Sequence, residues 1–544
     1  MMKVLGTGIR QGKNEGEKNK EPGTIHSLKR WQFIRLLGVG TAALALPGCA
    51  GLLPGCAGRR KHPNILYIMS DDHASTAISC YGGRLAGVAP TPNIDRLATE
   101  GLRLENCFCT NSICVPSRAA IMTGQYSHIN GVYTLSDVFD RDRQNVTKML
   151  QAAGYQTAVI GKWHLKTEPS GFDHYHVLPG QGRYHDPVMK VKGMSWQDGN
   201  RGGEVRKGYV TDVITDFSLD WLRNCDPDQP FFLMCHYKAV HEPWHYAERH
   251  KDLFKDLEIP EPPSLWEDKS HRSPGSREYG YTIETIGERF GRENWPTGRL
   301  DTSDLTPEGR RKAAYQKYLK DYLRCVAGID ENVGRLLEYL DRAGLSEDTV
   351  VIYTSDQGMF LGEHNYIDKR WIFEESLRMP FLVRYPREIG PGTTNSDIVL
   401  NIDFAPLFLD YAGETIPPDM QGHSFRPNTV GGTSPNWRRS MYYRYWQHTT
   451  RPAHYGVRSE RYKLIFFYGL PLNMKGADAE PTKVGWELYN LEMDPQELHN
   501  VYNDPAYASV VRELKADLLR LKRELGDRDE KYPELMRLRR EHWN

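Results

Sequence analysis

The sequence predicts an α/β protein in which a mostly parallel central sheet is flanked by helices and followed by a smaller C-terminal α+β domain. Continuous apolar runs at residues 64–70, 157–160 and 349–355 are typical of buried parallel strands. Segments with apolar residues at helical spacing separate these runs, and the longest spans residues 318–340. The chain has 544 residues, more than one ordinary core accommodates, so we expect two domains.

A run rich in glycine and proline at residues 422–435 marks the end of the main domain. We therefore predict a main domain at residues 63–430 and a C-terminal subdomain at residues 431–544. Short aromatic strand patterns follow this boundary, and a charged amphipathic pattern then covers residues 508–525. This order predicts a small antiparallel sheet with a terminal helix.

Residues 1–62 have the composition of a leader that contains an export signal. A basic stretch, which resembles a twin-arginine signal with lysine in the first place, precedes an apolar run too short to cross a bilayer. Leu-Pro-Gly-Cys then occurs twice and resembles a bacterial lipobox. We expect export to the periplasm and a lipid anchor on Cys49 or Cys56. The alternative is an ordinary cleaved signal with a chance cysteine.

The overall composition argues against several functional classes. The chain has 70 basic and 70 acidic residues, which gives no reason to expect a nucleic-acid groove or a polybasic membrane patch. Its 9 cysteines lack the paired spacing of a zinc site or a dense disulfide framework. No segment after the leader is long and apolar enough to cross a membrane. Any anion binding must therefore be local.

Acidic residues follow two of the predicted parallel strands. The first strand ends at Asp71 and Asp72, and the strand at residues 349–355 ends at Asp356 and Gln357. Ligand sites of open α/β sheets lie at the carboxyl edge, where these residues would meet. Neighbouring buried carboxylates are unfavourable unless a cation neutralises them. A solvated acidic turn is the alternative, but a buried strand leads directly into each acidic pair.

Residues 111–125 have the features of a nucleophile at the N-terminal end of a helix. Cys114, Pro116 and Arg118 precede a run of helix-forming residues. The unpaired N–H groups and positive dipole of the first helical turn favour an anion, and Arg118 adds a planar charged fork. A cysteine at such a position is otherwise a small buried hydrophobe.

Further candidate residues follow other strand-like segments. Lys162 and His164 lie two apart on a predicted extended segment, so both would point to one side and could bind one oxyanion. His241 follows a strand-like run and is a candidate acid, although a lone histidine is more often structural. Residues 260–307 show little periodicity, and we predict that this insertion forms a wall of the substrate pocket.

The pentapeptide at residues 114–118 resembles the type I sulfatase signature, Cys-x-Pro-Ser-Arg. The Asp71-Asp72 pair, the Gly-Lys-Trp-His stretch, the His-x-Pro at His241 and the aspartate-glycine motif at Asp356 appear in the order of that family. The resemblance covers residue 63 to the C-terminal helix, and residues 367–386 are most similar to glycan sulfatases, including N-acetylglucosamine-6-sulfatases. It implies an alkaline-phosphatase-like fold and hydrolysis of sulfate esters, with 6-O-sulfated N-acetylglucosamine or a related sulfated sugar as the expected substrate.

The resemblance also implies a modified nucleophile and a metal ion. A maturation enzyme would oxidise Cys114 to formylglycine, whose hydrate attacks sulfur. One Ca²⁺ would be held by the residues at the strand ends together with the modified cysteine: Asp71, Asp72, Cys114, Asp356 and Gln357. Gln357 departs from the Asn or His usual in the family, although an amide oxygen also coordinates hard cations.

The remaining roles follow from the same resemblance. Arg118, Lys162 and Lys369 would stabilise negative charge, and Lys162, His241 and Lys369 would contact the substrate. His241 would protonate the leaving alcohol, and His164 would assist the release of sulfate. Two alternatives stay open: a phosphomonoester or phosphonate hydrolase of the same fold, and a non-catalytic glycan-binding relative. The second would require a broken site, and Gln357 is the departure from the family pattern.

Overall fold

A computed structural model describes residues 62–446, 451–477 and 480–543. The predicted export signal, with Cys49 and Cys56, lies outside these residues. Within them, no helix combines the length and apolar character that a membrane span needs.

Eighteen strands are present in the described residues. They are β1 (Asn64–Ser70), β2 (Leu102–Leu104), β3 (Cys107–Phe108), β4 (Gln156–Lys162), β5 (His174–Leu178), β6 (Val188–Val191), β7 (Glu204–Val205), β8 (Phe231–His236), β9 (Tyr281–Thr282), β10 (Thr349–Ser355), β11 (Tyr366–Ile367), β12 (Phe381–Arg384), β13 (Thr393–Asn395), β14 (Val399–Leu400), β15 (Ser440–Tyr445), β16 (His454–Ser459), β17 (Tyr462–Phe467) and β18 (Gly485–Asn490).

The same part of the chain forms thirteen α-helices. They are α1 (Pro92–Thr99), α2 (Cys114–Thr123), α3 (Ser127–Asn130), α4 (Val146–Ala152), α5 (Val210–Arg223), α6 (Pro274–Arg277), α7 (Ile283–Phe290), α8 (Pro307–Arg342), α9 (Glu374–Leu377), α10 (Phe404–Tyr411), α11 (Arg426–Thr429), α12 (Ala508–Glu524) and α13 (Pro533–His542).

The central sheet has ten strands in the order β13-β2-β12-β10-β1-β8-β4-β5-β6-β7. Its middle strands are parallel: β1 pairs with β10 and β8, and β4 pairs with β8 and β5. Antiparallel pairs occur toward both edges, as between β10 and β12 and between β5 and β6. The mostly parallel sheet predicted from the sequence is therefore confirmed.

Helices cover both faces of this sheet, because the strands are apolar on both sides. On β1, Ile65, Tyr67 and Met69 belong to one buried core, and Leu66 and Ile68 belong to the other. The first core also contains α2 and α10, and the second contains α5 and the long helix α8. The strand alternation thus places one helical layer on each face.

Strands β15 to β18 form the predicted C-terminal antiparallel sheet, with successive strands paired. Helix α12 packs on this sheet, and its Leu514 and Leu518 belong to the same apolar core as the central sheet. The predicted boundary at residue 430 falls between α11 and β15.

The insertion at residues 260–307 is more ordered than its sequence suggests. It contains α6, β9 and α7, and β9 pairs antiparallel with β11. This pairing cannot be predicted from hydrophobic periodicity, because each strand has only two residues and therefore contains no repeat. Since β11 is followed directly by Asp368 and Lys369, the insertion is attached next to the predicted site.

Candidate active site

Three aspartates meet at the carboxyl edge of the central sheet. The register pairs Ser70 of β1 with Ser355 of β10, so the residues that follow the two strands lie side by side. Asp71, Asp72 and Asp356 are completely or almost completely buried, and one oxygen from each lies within 4.8 Å of the others. The backbone N–H of Asp72 donates to Oδ1 of Asp356 at 3.2 Å. The sequence prediction that these strand ends meet matches their positions.

Each aspartate has a buried basic partner. Lys162 donates to Asp71, Nζ of Lys369 lies 2.6 Å from Oδ2 of Asp72, and Nη2 of Arg118 lies 2.9 Å from Oδ2 of Asp356. Burial alone would raise the pKa of Asp71, but Lys162 and the other cations hold it well below its usual value. Burial lowers the pKa of the Lys369 ammonium, but Asp72 and other anions outweigh this and hold it above the usual value.

The pKa of Asp356 shifts in the opposite direction. Burial and the charge of Asp71 raise it to about 8, despite the adjacent Arg118. Burial also raises the pKa of Asp72. Three carboxylates in one enclosed place therefore repel one another enough to favour protonation of Asp356, and a bound cation would relieve this repulsion.

Gln357 supplies a direct test of whether the residues fit a metal ion. Its Nε2 donates to Asp356 at 2.6 Å and also to Asp72, while its Oε1 is buried without a hydrogen-bond partner among the described residues. Rotating the amide by half a turn would direct Oε1 toward the carboxylates. Three carboxylates and an amide oxygen are the ligand types that hard divalent cations prefer. These residues therefore fit a cation such as Ca²⁺.

Cys114 is the first residue of α2 and is 1% exposed. Ile113 before it is extended, and Pro116 lies in the first helical turn. Backbone N–H groups of that turn have no intrahelical acceptor, so proline, which lacks the N–H, removes no hydrogen bond there. Sγ of Cys114 lies 3.4 Å from Oδ1 of Asp71 and 3.7 Å from Nε2 of Gln357. Burial and the charge of Asp71 raise the pKa of the thiol well above its ordinary value. An unmodified thiol here is protonated and a weak nucleophile.

Arg118, one turn along the same helix, is fixed by two elements. Its Nε donates to Oδ2 of Asp356 at 3.0 Å and its Nη1 donates to the carbonyl oxygen of Lys162 at 2.8 Å. Strand β4, which carries Lys162, approaches the neighbouring strand β8 closely at Gly161, where φ is 111°. A Cβ there would lie 1.9 Å from the carbonyl oxygen of His236, so glycine is required.

His241 lies at the open side of the site. Its Nδ1 lies 2.8 Å from the carbonyl oxygen of Glu242, a contact that needs a proton on Nδ1. Its Nε2 is 3.8 Å from Oδ2 of Asp72. Burial and the charge of Lys162 lower the pKa of His241 well below its usual value. The substrate-free ring is therefore neutral.

His164 differs from its prediction in backbone conformation. Strand β4 ends at Lys162, and His164 has φ of 60°, so the two residues do not share one extended segment. The ring is buried and its Nδ1 has no hydrogen-bond partner among the described residues. Burial and Lys162 hold its pKa well below the usual value. The alternation rule fails because the chain turns where the strand ends.

Sequence reasoning missed several residues around the site. The exposed Gln181 accepts a hydrogen bond from Nζ of Lys162 at 2.6 Å, although no motif surrounds it. Asp368 accepts from Nε of Arg370 at 2.7 Å and Nη2 of Arg451 at 3.2 Å. Asp368 and Arg370 flank Lys369, and both have positive φ, at 74° and 87°. Such backbone conformations outside glycine are a signal for function, but only a structure reveals them.

Two buried residues support the backbone around His241. The hydroxyl of Tyr184 donates to the carbonyl oxygen of His241, and Nζ of Lys238 lies 4.7 Å from the Tyr184 ring centroid. Burial and Lys162 lower the pKa of Lys238 to about 8. Lys162, Lys369 and Arg118 can thus bind an anion in the site, and the neutral imidazole of His241 lies at the open side of that anion.

Comparisons with known proteins agree with this geometry. The sulfatase family profile matches residues 63–414, and a profile of the C-terminal region of N-sulphoglucosamine sulphohydrolase matches residues 362–524. N-acetylglucosamine-6-O-sulfatase of Bacteroides thetaiotaomicron is 39% identical over 531 residues, which cover 90% of each chain.

Solved structures add two relevant neighbours. BT4656, solved in complex with its substrate D-glucosamine-2-N,6-O-disulfate, superposes with a TM-score of 0.79 and 38% identity, covering 87% of this chain and 100% of that one. Phosphonate monoester hydrolase of Agrobacterium radiobacter has a TM-score of 0.67 and 21% identity, covering 85% of this chain and 96% of that one. At that identity the second likeness concerns the fold alone.

Proposed function

Because this chain belongs to the sulfatase family, and is therefore a sulfuric ester hydrolase, we propose that its substrates are 6-O-sulfated glucosamine residues of sulfated glycans. The observation that carries the proposal is the position of Cys114, which begins a helix within contact distance of Asp71 and Gln357 and close to Arg118 and Lys369. The 39% identical relative named N-acetylglucosamine-6-O-sulfatase supports the choice of sugar.

The nucleophile in this proposal is formylglycine made from Cys114 by a maturation enzyme. When present, the hydrated aldehyde supplies one hydroxyl that attacks sulfur and a second whose deprotonation expels sulfate. The raised pKa of the Cys114 thiol supports this modification, because the protonated thiol is a poor nucleophile. Since Cys114 is 1% exposed in the folded chain, the maturation enzyme must act before folding is complete.

One Ca²⁺ in this proposal is held by the carboxylates of Asp71, Asp72 and Asp356, by Oε1 of Gln357 and by the modified Cys114. When bound, it supplies positive charge that neutralises sulfate oxygens and lowers the pKa of a coordinated hydroxyl. The unpartnered Oε1 of Gln357 and the raised pKa of Asp356 support this assignment.

The basic side chains of the site would bind the sulfate group. Lys162 and Lys369 already lie against Asp71 and Asp72, so sulfate oxygens entering here gain donors fixed in advance. Arg118 is held by Asp356 and the Lys162 carbonyl, and its Nη2 lies 3.7 Å from Oδ1 of Asp71, so it adds positive charge beside the carboxylate that Lys162 also contacts.

Proton transfer to the leaving oxygen falls to His241. Its Nδ1 proton is held by the carbonyl of Glu242, so Nε2 is the nitrogen that takes up and delivers a proton. An anionic substrate next to the ring favours its protonated form, which opposes the lowering by burial and Lys162. His164 would assist the later release of sulfate from the buried side.

We also propose export and lipid anchoring, on the sequence pattern alone. Residues 1–62 contain both Leu-Pro-Gly-Cys boxes, and a mature N-terminus at Cys49 or Cys56 would support the anchor. Mass spectrometry of the N-terminal peptide from membranes tests it, and any other mature N-terminus would contradict it.

A paired assay tests the proposed reaction. Purified enzyme that carries formylglycine is incubated with 6-O-sulfated N-acetylglucosamine and with its 6-O-phosphate counterpart, and released sulfate or phosphate is measured. We expect a much higher kcat/KM for the sulfate ester. Preference for the phosphate ester would favour a phosphoester hydrolase, and binding of the sulfated sugar without turnover of either would favour the glycan-binding alternative.

A further inference from the structure

An ion pair joins the insertion to the residue next to His241. Arg289 of α7 forms a short contact through Nη2 with Oε1 of Glu242, and its Nη1 donates to the hydroxyl of Tyr281 at 2.6 Å. The two charged side chains are 32% and 22% exposed, so solvent and ligands reach them. The pair therefore belongs to the accessible mouth of the site, unlike the buried ion pairs of its floor.

A row of side-chain contacts also connects this pair to Asp72 at the floor of the site. The Tyr281 ring lies 5.1 Å from the guanidinium of Arg451, and Arg451 contacts Asp368 at 3.2 Å. Asp368 lies 3.5 Å from Nζ of Lys369, which contacts Asp72. Arg289 thus occupies one end of a continuous row of contacting side chains that reaches the floor of the site.

The position of His241 sets the side on which a sugar must lie. If His241 serves the leaving oxygen, the rest of the substrate extends from that oxygen toward the open side. Glu242 follows His241 in the chain and holds Arg289 at that side. Among the described residues, the ionic side chains of the two contact groups Glu242–Arg289 and Asp368–Arg370–Arg451 sum to one positive charge.

From this placement we propose that Arg289 is a specificity-determining residue that binds a second anionic group of the substrate, a sulfate or carboxylate beyond the ester that is cleaved. A guanidinium presents five N–H donors in a planar fork, and its contacts with Glu242 and Tyr281 fix the direction of that fork. The inference rests on the proposed function, because it assumes a sulfated sugar bound with its leaving oxygen at His241.

Two pairs of substrates separate the possible sources of the second anion. The first pair is 6-O-sulfated glucosamine with an N-sulfate or an N-acetyl group. The second is a disaccharide of 6-O-sulfated N-acetylglucosamine and a uronic acid, either native or with its carboxylate reduced to an alcohol. The quantity measured is kcat/KM for the sugar with the second anion divided by kcat/KM for its neutral counterpart. Binding of the same sugars to Cys114→Ala protein gives the corresponding ratio of affinities.

The variants are Arg289→Gln, which removes the charge, and Arg289→Lys, which keeps the charge without the fork. Arg292→Gln is the matched control because Arg292 is exposed on the same insertion and carries the same charge. We expect Arg289→Gln to lower the ratio about tenfold in one of the pairs, as for loss of a partly exposed charge-assisted hydrogen bond. Arg289→Lys should fall between Arg289→Gln and wild type.

Several results would overturn the inference. One is that Arg289→Gln leaves the ratio unchanged in both pairs. Another is that Arg292→Gln lowers the ratio as much as Arg289→Gln does, which would indicate a general effect of charge. If Arg289→Gln does not fold, an unchanged ratio for Arg289→Lys is the contrary result. Wild-type enzyme that cleaves none of the four sugars would instead contradict the proposed function, and the inference with it.

Discussion

The ammonium nitrogen of Lys369 lies 2.6 Å from Oδ2 of Asp72, a contact between buried side chains 297 positions apart in the chain. Lys162 makes the equivalent contact with Asp71, and Arg118 pairs with Asp356. Three basic and three acidic side chains thus balance one another at the floor of the site. A bound divalent cation would leave the floor positive, which favours an anionic substrate.

The first prediction concerns Arg118. Arg118→Ala should lower kcat by more than the factor of about 10²–10³ that a single oxyanion donor contributes, because a charged fork is removed. Arg118→Lys keeps the charge but cannot contact Asp356 and the Lys162 carbonyl together, so it should recover only a minor part of the rate.

Steady-state kinetics on the sulfated sugar measure the effect of Arg118. Arg96→Ala, which removes a partly exposed ion pair with Glu100 on α1, is a suitable control and should keep the wild-type rate. An Arg118→Ala enzyme within tenfold of wild type would contradict the role given to this residue.

The second prediction concerns Gln357 and calcium. If Oε1 of Gln357 is a ligand, Gln357→Asn shortens the reach of the donor and should weaken Ca²⁺ binding, with activity restored by added Ca²⁺. Gln357→Leu removes the donor and should be restored much less. Calorimetric titration of chelator-treated protein measures this without relying on turnover. Equal Ca²⁺ affinities for wild type and Gln357→Leu would show that Gln357 is not a ligand.

The third prediction concerns pH and stability after metal removal. Burial raises the pKa of Asp356 from its ordinary value of 3.8 to about 8, and raises that of Asp72 as well. The folded protein therefore binds these protons more tightly than the unfolded chain does. The resulting stabilisation is complete below about pH 4 and is lost as the pH rises toward 8. The lowered pKa values of Asp71, of His164 and His241, and of Lys238 act in the opposite sense, but mainly below pH 3.8, below about pH 6.5 and above about pH 8, respectively.

Thermal unfolding between pH 7 and pH 8, where these opposing contributions are small, provides the measurement. In chelator the Tm should fall across this range. The free energy of unfolding should decrease by at most about 1.4 kcal/mol per pH unit for each proton released. Added Ca²⁺ should remove most of the fall, because the cation takes over the role of the protons. A Tm that rises with pH in chelator would contradict the prediction.

The fourth prediction separates function from folding at Cys114. Cys114→Ala should abolish turnover and leave the Tm within a few degrees of wild type, because only the small group on Cβ that faces the site is lost. Cys107→Ala, at a fully buried cysteine of β3, is the matched control and should remain active. Unfolding of the Cys114→Ala protein, measured by circular dichroism, would give Cys114 a structural role.

The sequence was sufficient for features that depend on one strand or one helix. Apolar runs identified β1, β4 and β10, and the acidic residues after β1 and β10 meet because parallel strands end at the same edge. The position of Cys114 at the start of α2 followed from local signals in the same way.

Other features depend on contacts between distant segments, which leave no periodic signal. Gln181 reaches Lys162 from a loop, and Arg289 and Arg451 reach the mouth of the site from the insertion and from the segment before β16. The left-handed conformation of His164 also has no sequence signature, since it is imposed by the surrounding packing. The assignment of Cys49 or Cys56 stays a prediction.

Mass spectrometry of the intact peptide across Cys114, on enzyme whose sulfate release has been measured, tests the central claim most directly. The account predicts that active enzyme carries an aldehyde at position 114 and that the fraction modified equals the fraction of active sites. Enzyme produced without the maturation enzyme should retain the thiol and release no sulfate. Full activity from a chain whose Cys114 remains an unmodified thiol would contradict the account.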